Sequence, residues 1–164
     1  MTRIPYPDPL FVKTYRKAPE SNELVEQQLK SRYFASKPDN TPTEQEKKWG
    51  ITQIDPTSAY WTHFQERLWK VIQELRVDAN SNRAVITIDH PQPPCFQSFQ
   101  FKRNDHHGVD LTCFARSLDL ENGLPVDAAI FWRAALERVV DNLALCIEGS
   151  SLTVVSPGAH TYKD

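Results

Sequence analysis

A long stretch of helix-forming sequence, residues 125–146, constrains the fold more than any other segment of this chain. Its apolar residues recur at three- and four-residue spacing, which is the period of one face of an α-helix. They are Ile130, Phe131, Ala134, Ala135, Val139, Leu143 and Cys146. A stripe this wide is typical of a buried central helix, so other elements must cover it. We expect Gly149 to end the helix.

Four further segments carry the alternating pattern of β-strands, in which successive side chains point to opposite faces. They span residues 83–89, 96–102, 109–115 and 152–155. The turn pattern at residues 104–108 predicts that the second and third strands form an antiparallel hairpin. With the helix, these strands predict an α/β chain of the α+β type, with a mixed, mainly antiparallel sheet packed against a long buried helix.

The N-terminal part of the chain shows weaker patterns. Residues 1–20 are rich in proline and predict an extended arm, and residues 21–35 predict a helix. Residues 36–48 are polar and predict a loop, and residues 51–54 predict a short extended piece.

A second helix is predicted to run from Thr57 or Ser58 to Arg76. Its apolar positions are Trp61, Phe64, Leu68, Trp69, Ile72 and Leu75. We therefore divide the chain into an N-terminal arm, helix and loop at residues 1–56 and a core at residues 57–164.

The composition is that of an ordinary globular domain. The chain has 164 residues, 40% of them apolar, and a net charge of −2, which predicts no broad attraction to nucleic acid or to a membrane surface. It shows no signal peptide and no apolar run of membrane-spanning length. Its 3 cysteines have no metal-like spacing, which favours free thiols in a reducing, cytoplasmic compartment and no metal site.

Cys95 follows two prolines at the entry of the second strand. Alternation places its side chain on the face of Phe99 and Phe101, opposite Phe96 and Ser98. Two interpretations remain open. The thiol is a nucleophile if a nearby cation lowers its pKa, or it is a buried core cysteine, which is the more common case for a lone cysteine.

Arg116 and Ser117 end the third strand with a guanidinium beside a hydroxyl, a combination that suits a phosphate. The alternative is a surface arginine paired with Asp119 or Glu121. After a Gly-Leu-Pro turn, Asp127 is placed as a helix N-cap, or as a carboxylate that binds the edge of a ligand.

Three ordered segments together resemble one enzyme family. They read P-P-C-F-Q-S-F-Q-F at residues 93–101, R-S-L-D-L-E-N-G-L-P-V-D at residues 116–127 and H-T-Y at residues 160–162, with S-N-R-A-V-I upstream at residues 81–86. In order and spacing they resemble the thymidylate synthase and pyrimidine nucleotide hydroxymethylase family. The resemblance covers roughly residues 57–164 and implies a short, divergent member with a thymidylate synthase-like catalytic core.

The resemblance implies a role for each matched residue. Cys95 matches the nucleophile that adds to carbon 6 of a pyrimidine, and Asp119 matches an aspartate near the folate ring and the base. Residues matched to substrate binding are Arg116 and Ser117 (phosphate), Arg83 (phosphate, across a dimer interface), Gln100 (beside the nucleotide), Gly123 (close backbone approach), and His160 and Tyr162 (sugar hydroxyl). The family usually has two adjacent arginines where this chain has Asn82 and Arg83.

Asp127 departs from the pattern of the family members that act on uracil, which carry asparagine at this position. An amide both donates to and accepts from the uracil edge, whereas a carboxylate only accepts. A carboxylate suits cytosine, which presents an exocyclic amine. Relatives resembling the deoxycytidylate and cytidylate hydroxymethylases carry aspartate, so the resemblance favours a cytosine nucleotide.

The resemblance implies transfer of a one-carbon unit from 5,10-methylenetetrahydrofolate to carbon 5 of a pyrimidine nucleoside monophosphate, giving a methyl or hydroxymethyl product. It also implies a homodimer, or a heterodimer with a related subunit. Two alternatives remain: a non-catalytic relative that binds nucleotides, and a structural partner subunit of a thymidylate synthase-like assembly.

Overall fold

The computed structural model describes residues 1–34, 44–48, 64–88 and 94–164. The strands are β1 (Thr2–Pro5), β2 (Phe11–Tyr15), β3 (Val85–Thr87), β4 (Phe96–Arg103), β5 (Val109–Ala115), β6 (Leu118–Asp119), β7 (Ser151–Ser156) and β8 (Ala159–Lys163). The helices are α1 (Glu23–Gln28), α2 (Glu44–Lys48), α3 (Phe64–Val77), α4 (Leu124–Phe131) and α5 (Glu137–Asn142), with π-helical turns at Leu29–Tyr33 and Trp132–Leu136 and a 3-10 turn at Ile147–Gly149.

The strands form two sheets. The larger has the order β2-β7-β5-β4-β3, and the smaller has the order β1-β8-β6. Each sheet contains one parallel pair, β5 with β7 and β6 with β8, and the other neighbours are antiparallel. The prediction of an α+β fold with a mixed, mainly antiparallel sheet is therefore confirmed.

A continuous buried helix runs from Leu124 to Asn142 through α4, the π-helical turn and α5, as the apolar stripe predicts. Its predicted end is wrong. The backbone N–H of Ala144 donates to Asp141 and that of Leu145 donates to Val140, with Ala144 at φ 53°, which is the hydrogen-bond pattern of a Schellman C-cap. The chain therefore leaves the helix before Cys146, whose side chain is exposed.

Gly149 has a different role from the one predicted. A Cβ atom at this position would lie 2.2 Å from the carbonyl oxygen of His106. Glycine therefore lets the segment before β7 pack directly on the β4–β5 hairpin turn, because any larger residue would overlap the backbone there.

Aromatic rings join the long helix to the larger sheet. The Phe131 ring lies 4.9 Å from the rings of both Phe96 and Phe99, and Phe64 from α3 lies 5.7 Å from Phe99. These side chains are almost fully buried. Helix α3 buries Phe64 and the other predicted positions that the structure describes, except Trp69, which is 51% exposed and stacks under Arg76.

The predicted N-terminal arm is extended and is paired with both sheets. Strand β1 pairs with β8, and β2 pairs with β7, so residues 2–15 contribute an edge strand to each sheet. The predicted helix at residues 21–35 is confirmed for α1, where the Asn22 side chain accepts a hydrogen bond from the Val25 backbone and caps the helix.

Residues 44–48 form helix α2, so the prediction of a loop is wrong there. Several other predictions lie outside the described residues. They are the loop at residues 36–43, the extended piece at 51–54, the start of the second helix at Thr57 or Ser58, and the division of the chain at 56/57. Among the helices that the structure does describe, none has the length and apolarity needed to cross a membrane.

Candidate functional site

The antiparallel pairing of β4 and β5 brings Cys95 and Arg116 together. Cys95 directly precedes β4, and Arg116 directly follows β5. Strands β4 and β5 are antiparallel and Phe96 pairs with Ala115, so the residues just outside the ladder are neighbours. The Arg116 backbone N–H donates to the Cys95 carbonyl at 2.8 Å. The proposed nucleophile and the proposed phosphate-binding arginine are therefore adjacent because of strand register.

A β-bulge reverses the predicted orientation of Cys95. Between Phe96 and Ser98 the register shifts, so Gln97 is an extra residue in β4. Because of this extra residue, Phe96 enters the core together with Phe99, and Cys95 is exposed. The prediction that Cys95 shares a face with Phe99, and its alternative as a buried core cysteine, are both wrong.

Opposing influences act on the acidity of the Cys95 thiol. Partial burial raises its pKa, as does the Asp127 carboxylate, whereas the positive charges of Arg116 and Arg3 lower it. The desolvation effect dominates and leaves the pKa above its ordinary value. The predicted cation beside the thiol is therefore present, although it does not by itself make Cys95 a thiolate at neutral pH.

Asp119 and Gly123 form the turn that launches the long helix. The Asp119 carboxylate accepts hydrogen bonds from the backbones of Glu121 and Asn122, both at 3.1 Å. The Gly123 backbone N–H donates to the Asp119 carbonyl at 3.1 Å. These bonds fix the Asp119 carboxylate at the edge of the smaller sheet, where it pairs with His160.

Asp127 lies one turn inside α4 and is not its N-cap. Gly123 occupies the cap position, and the Asp127 backbone N–H donates to the Gly123 carbonyl at 2.9 Å. Its side chain is half-buried, and Oδ2 would lie 3.7 Å from a Cβ atom placed on Gly123. Burial, with a smaller effect of the Asp119 carboxylate, raises the pKa of Asp127 to about 7.

His160 and Tyr162 lie on the same face of β8, next to this turn. Their rings are 5.2 Å apart and nearly perpendicular. The His160 Nδ1 atom lies 2.9 Å from the Gly158 carbonyl, which orients the buried ring. Tyr162 lines a cavity of about 380 Å³ together with Met1, Lys48, Asp119, Asn122 and Gly123.

Gly158 is a site residue that the sequence patterns did not single out. A Cβ atom there would lie 2.2 Å from the Arg116 carbonyl oxygen and 3.3 Å from the Ser117 Cα atom. The β7–β8 turn can therefore pack against the backbone of Arg116 and Ser117 only with glycine at this position. The Pro157-Gly158 dipeptide is a turn signal, but nothing in the sequence shows which backbone the turn approaches.

Arg83 and Gln100 lie apart from this group: Arg83 precedes the edge strand β3, and Gln100 lies farther along β4 than Cys95, where it pairs with Val85. Gln100 points to the open face of the sheet, and its side chain donates to the Asn82 carbonyl at 3.2 Å. Arg83 is exposed just before β3, and its backbone N–H donates to the Ser81 side chain. Within one chain, the structure thus brings together Cys95, Arg116, Ser117, Asp119, Gly123, Asp127, His160 and Tyr162, but not these two.

The remaining titratable clusters offer no metal site in the part of the chain that the structure describes. His106 and His107 are exposed residues of the β4–β5 turn, with His107 at φ 57°. Cys113 is buried between the larger sheet and the helices, and burial raises its pKa.

Comparison with known proteins gives one informative similarity. No protein-family model matches the chain. The chain is 27% identical over 106 residues to a protein of Methanopyrus kandleri described as "Putative thymidylate synthase". The aligned region covers 60% of this chain and 49% of the relative, so the chain spans about half of that protein's length. At this level, the chain is similar in part of its length to a protein described as a thymidylate synthase.

Proposed function

We propose that this protein transfers a one-carbon unit to carbon 5 of a pyrimidine nucleoside monophosphate through a covalent adduct of Cys95. The observation that carries the proposal is the adjacency of an exposed thiol and an arginine, fixed by the 2.8 Å hydrogen bond between their backbones. Neighbouring elements carry three groups that can bind a base and a sugar. They are the carboxyl group of Asp127, the imidazole of His160 and the phenol of Tyr162. The partial similarity to the Methanopyrus protein supports the same reaction class.

The chemistry begins with addition of the Cys95 thiolate to carbon 6 of the pyrimidine, which makes carbon 5 nucleophilic. The thiol must first lose its proton, and Arg116 favours this loss electrostatically. The one-carbon unit would leave its carrier after it bonds to carbon 5, and a hydride or a water molecule would complete a methyl or a hydroxymethyl group. Carbon 5 loses its proton and the Cys95–carbon 6 bond breaks, which restores the ring double bond and regenerates the Cys95 thiolate.

The residues present fit a folate-sized cofactor. The cavity of about 380 Å³ beside Asp119 shares Asn122 with a second cavity of about 610 Å³ that extends along α1 and the start of α4. Both volumes fall in the range of small-molecule sites. Asp119 presents a carboxylate that can accept hydrogen bonds from a pterin ring, and Gly123 leaves room for a ring to approach the backbone. Bound there, 5,10-methylenetetrahydrofolate would supply the one-carbon unit.

Asp127 makes a cytosine nucleotide the favoured substrate in this proposal. With a pKa of about 7, the carboxyl group holds a proton in a substantial fraction of molecules near neutral pH. The remaining, ionised fraction can only accept hydrogen bonds, so it suits the exocyclic amine of cytosine and opposes the exocyclic oxygen of uracil. The protonated carboxyl group both donates and accepts and can pair with either base, so the preference for cytosine comes from the ionised form. A hydroxymethyl or methyl product is compatible with this contact.

A homodimer completes the phosphate site in this proposal. Arg116 and Ser117 bind the phosphate in one chain, and Arg83 reaches it from the partner. The face of the larger sheet that the helices leave open carries exposed apolar side chains on three strands: Val12, Val85 and Phe114. We propose that a second copy of the chain covers this face. Because a two-fold interface is self-complementary, the same face on each copy can supply both sides.

The assembly can be tested with Phe114→Asp, which places a charge on the open face, where Phe114 is 37% exposed. Sedimentation velocity should show a dimer for the unmodified protein and a monomer for this variant, because burying an unpaired carboxylate is unfavourable. Val77→Asp is the matched control, since Val77 is 87% exposed on α3, and it should leave the dimer intact. A monomer in every case would favour a heterodimer with a related subunit.

The catalytic proposal is tested by following the hydrogen on carbon 5 by proton NMR in heavy water. The protein is given dCMP, CMP, dUMP and UMP in turn, with and without methylenetetrahydrofolate. We expect loss of the signal from a cytosine nucleotide, because reversible addition of the thiolate exchanges this hydrogen. Cys95→Ala should abolish the exchange, whereas Cys146→Ser, which changes another exposed thiol, should preserve it.

The alternatives make different predictions in the same experiment. A nucleotide-binding relative without catalysis should bind a nucleotide by calorimetry but give no exchange. A structural partner subunit should give neither when alone. Exchange that survives in Cys95→Ala would contradict the proposed mechanism outright.

A further inference from the structure

The N-terminal strand places an arginine against the site. Arg3 on β1 is the direct cross-strand partner of Tyr162 on β8. Its Nη2 atom donates to the Tyr162 hydroxyl at 3.3 Å, and its guanidinium carbon lies 5.9 Å from the centre of the tyrosine ring. A cross-strand pair of this kind, with a cation near the ring, restricts the rotamers of both side chains.

Through Tyr162, Arg3 affects the cavity. Tyr162 packs edge-on against His160 and lines the cavity that contains Asp119 and Gly123. Arg3, Tyr162 and His160 are therefore successive members of one contact chain that ends at the turn before α4. A change in Arg3 should alter where the Tyr162 hydroxyl points.

Arg3 also contributes to the electrostatic surroundings of Cys95. The charged groups that act on this thiol come from three different elements: Arg116 at the end of β5, Asp127 on α4 and Arg3 on β1. The two arginines favour the thiolate and the aspartate opposes it. One of the two favourable charges is thus delivered by a strand that lies far from the site in sequence.

We propose that Arg3 is a positioning residue of this site, which fixes the Tyr162 side chain at the cavity and, held there by its contact with Tyr162, adds positive charge to the surroundings of Cys95. The substrate-binding consequence rests on the proposed function, but the effect on the thiol does not. It is a property of the folded protein without any ligand. The two ideas can therefore fail separately.

The experiment measures the rate at which iodoacetamide alkylates Cys95 as a function of pH, by intact mass, in a Cys146→Ser background. We compare Arg3→Met, which keeps an apolar chain against the Tyr162 ring, with Arg3→Lys, which keeps the charge. Arg3→Met should move the midpoint of the pH profile upward and lower the rate near neutral pH by about two- to five-fold, because the thiolate is the reactive form.

The controls separate charge from packing. Arg3→Lys should keep most of the wild-type rate. Arg16→Gln removes an exposed cation from the same N-terminal region and should leave the profile unchanged. Salt at about 1 M should reduce the difference between wild type and Arg3→Met, since exposed charges are screened. Thermal melting of each variant reports whether β1 remains paired.

An Arg3→Met profile identical to that of the wild type would overturn the proposal. If Arg3→Met unfolds at a lower temperature than the wild type, the alkylation profiles of wild type and Arg3→Lys are compared at low and high salt instead. Two profiles that do not respond to salt would also overturn the proposal. If the thiol profile shifts as expected but no nucleotide exchanges its hydrogen, the proposed function fails and the assignment of Arg3 stands. If a nucleotide exchanges its carbon-5 hydrogen but the alkylation profile of Cys95 does not shift, the proposed function stands and the assignment of Arg3 fails.

Discussion

Asp127→Asn should reverse the base preference of the protein, changing the ratio of exchange rates for dCMP and dUMP by about 100-fold. The asparagine amide can donate to the exocyclic oxygen of uracil and accept from its ring N–H, a pattern that opposes cytosine. The measurement is the proton NMR exchange experiment with both nucleotides. Asp141→Asn makes the same chemical change on α5, where the side chain is exposed, and should leave the ratio unchanged.

The same substitution should change how stability depends on pH. The pKa of Asp127 rises from 3.8 to about 7 on folding, so the folded protein holds its proton more tightly than the unfolded chain does. Stability conferred by the protonated form is therefore lost as pH increases from about 4 to about 7. Asp127→Asn should remove this loss, which we put on the order of 2 kcal/mol for a half-buried group.

Denaturant unfolding of wild type and Asp127→Asn, at acid and at weakly alkaline pH, checks this expectation. The variant should gain stability relative to wild type as the pH rises. Parallel stability profiles for the two proteins would mean that the pKa of Asp127 does not change on folding, and the carboxyl group that faces the base would then be fully ionised near neutral pH.

Phe131→Ala should cost about 3–5 kcal/mol of unfolding free energy, which makes it the most destabilising substitution that we expect. The ring is 2% exposed and lies 4.9 Å from both Phe96 and Phe99. Its removal leaves a cavity where the helix meets the strand, because neighbouring rings relax only partly into the space. Denaturant unfolding monitored by circular dichroism measures the loss.

This ring also connects two parts of the site. Phe131 lies one helical turn after Asp127, and Phe96 follows Cys95 directly. We therefore expect Phe131→Ala to slow hydrogen exchange at carbon 5 even where the protein remains folded. The matched control is Phe34→Ala, since Phe34 is 43% exposed, and its cost should be below about 1 kcal/mol. Equal costs for both variants would contradict the buried aromatic core.

The sequence by itself was sufficient for the main elements of the fold. The alternation in residues 109–115 predicts β5 with its observed bounds, and the stripe after Pro125 predicts the long helix. These patterns are local: their periods depend on which side chains must be buried, and the turn at residues 104–108 requires no distant contact. The same local pattern predicts that Arg116 and Ser117 directly follow a strand.

Only the tertiary structure determined how the site is assembled. The β-bulge at Gln97 turns Cys95 outward, although the three-residue spacing of Phe96 and Phe99 was a signal that strict alternation fails. The pairing of β1 with β8, which brings Arg3 to Tyr162, joins residues at opposite ends of the chain. This long-range pairing leaves no periodic trace in β1, because the short edge strand is exposed along its whole length and carries no buried face. Position 158 also depends on a distant contact. It requires glycine because the chain there approaches the Arg116 backbone, which no local pattern predicts.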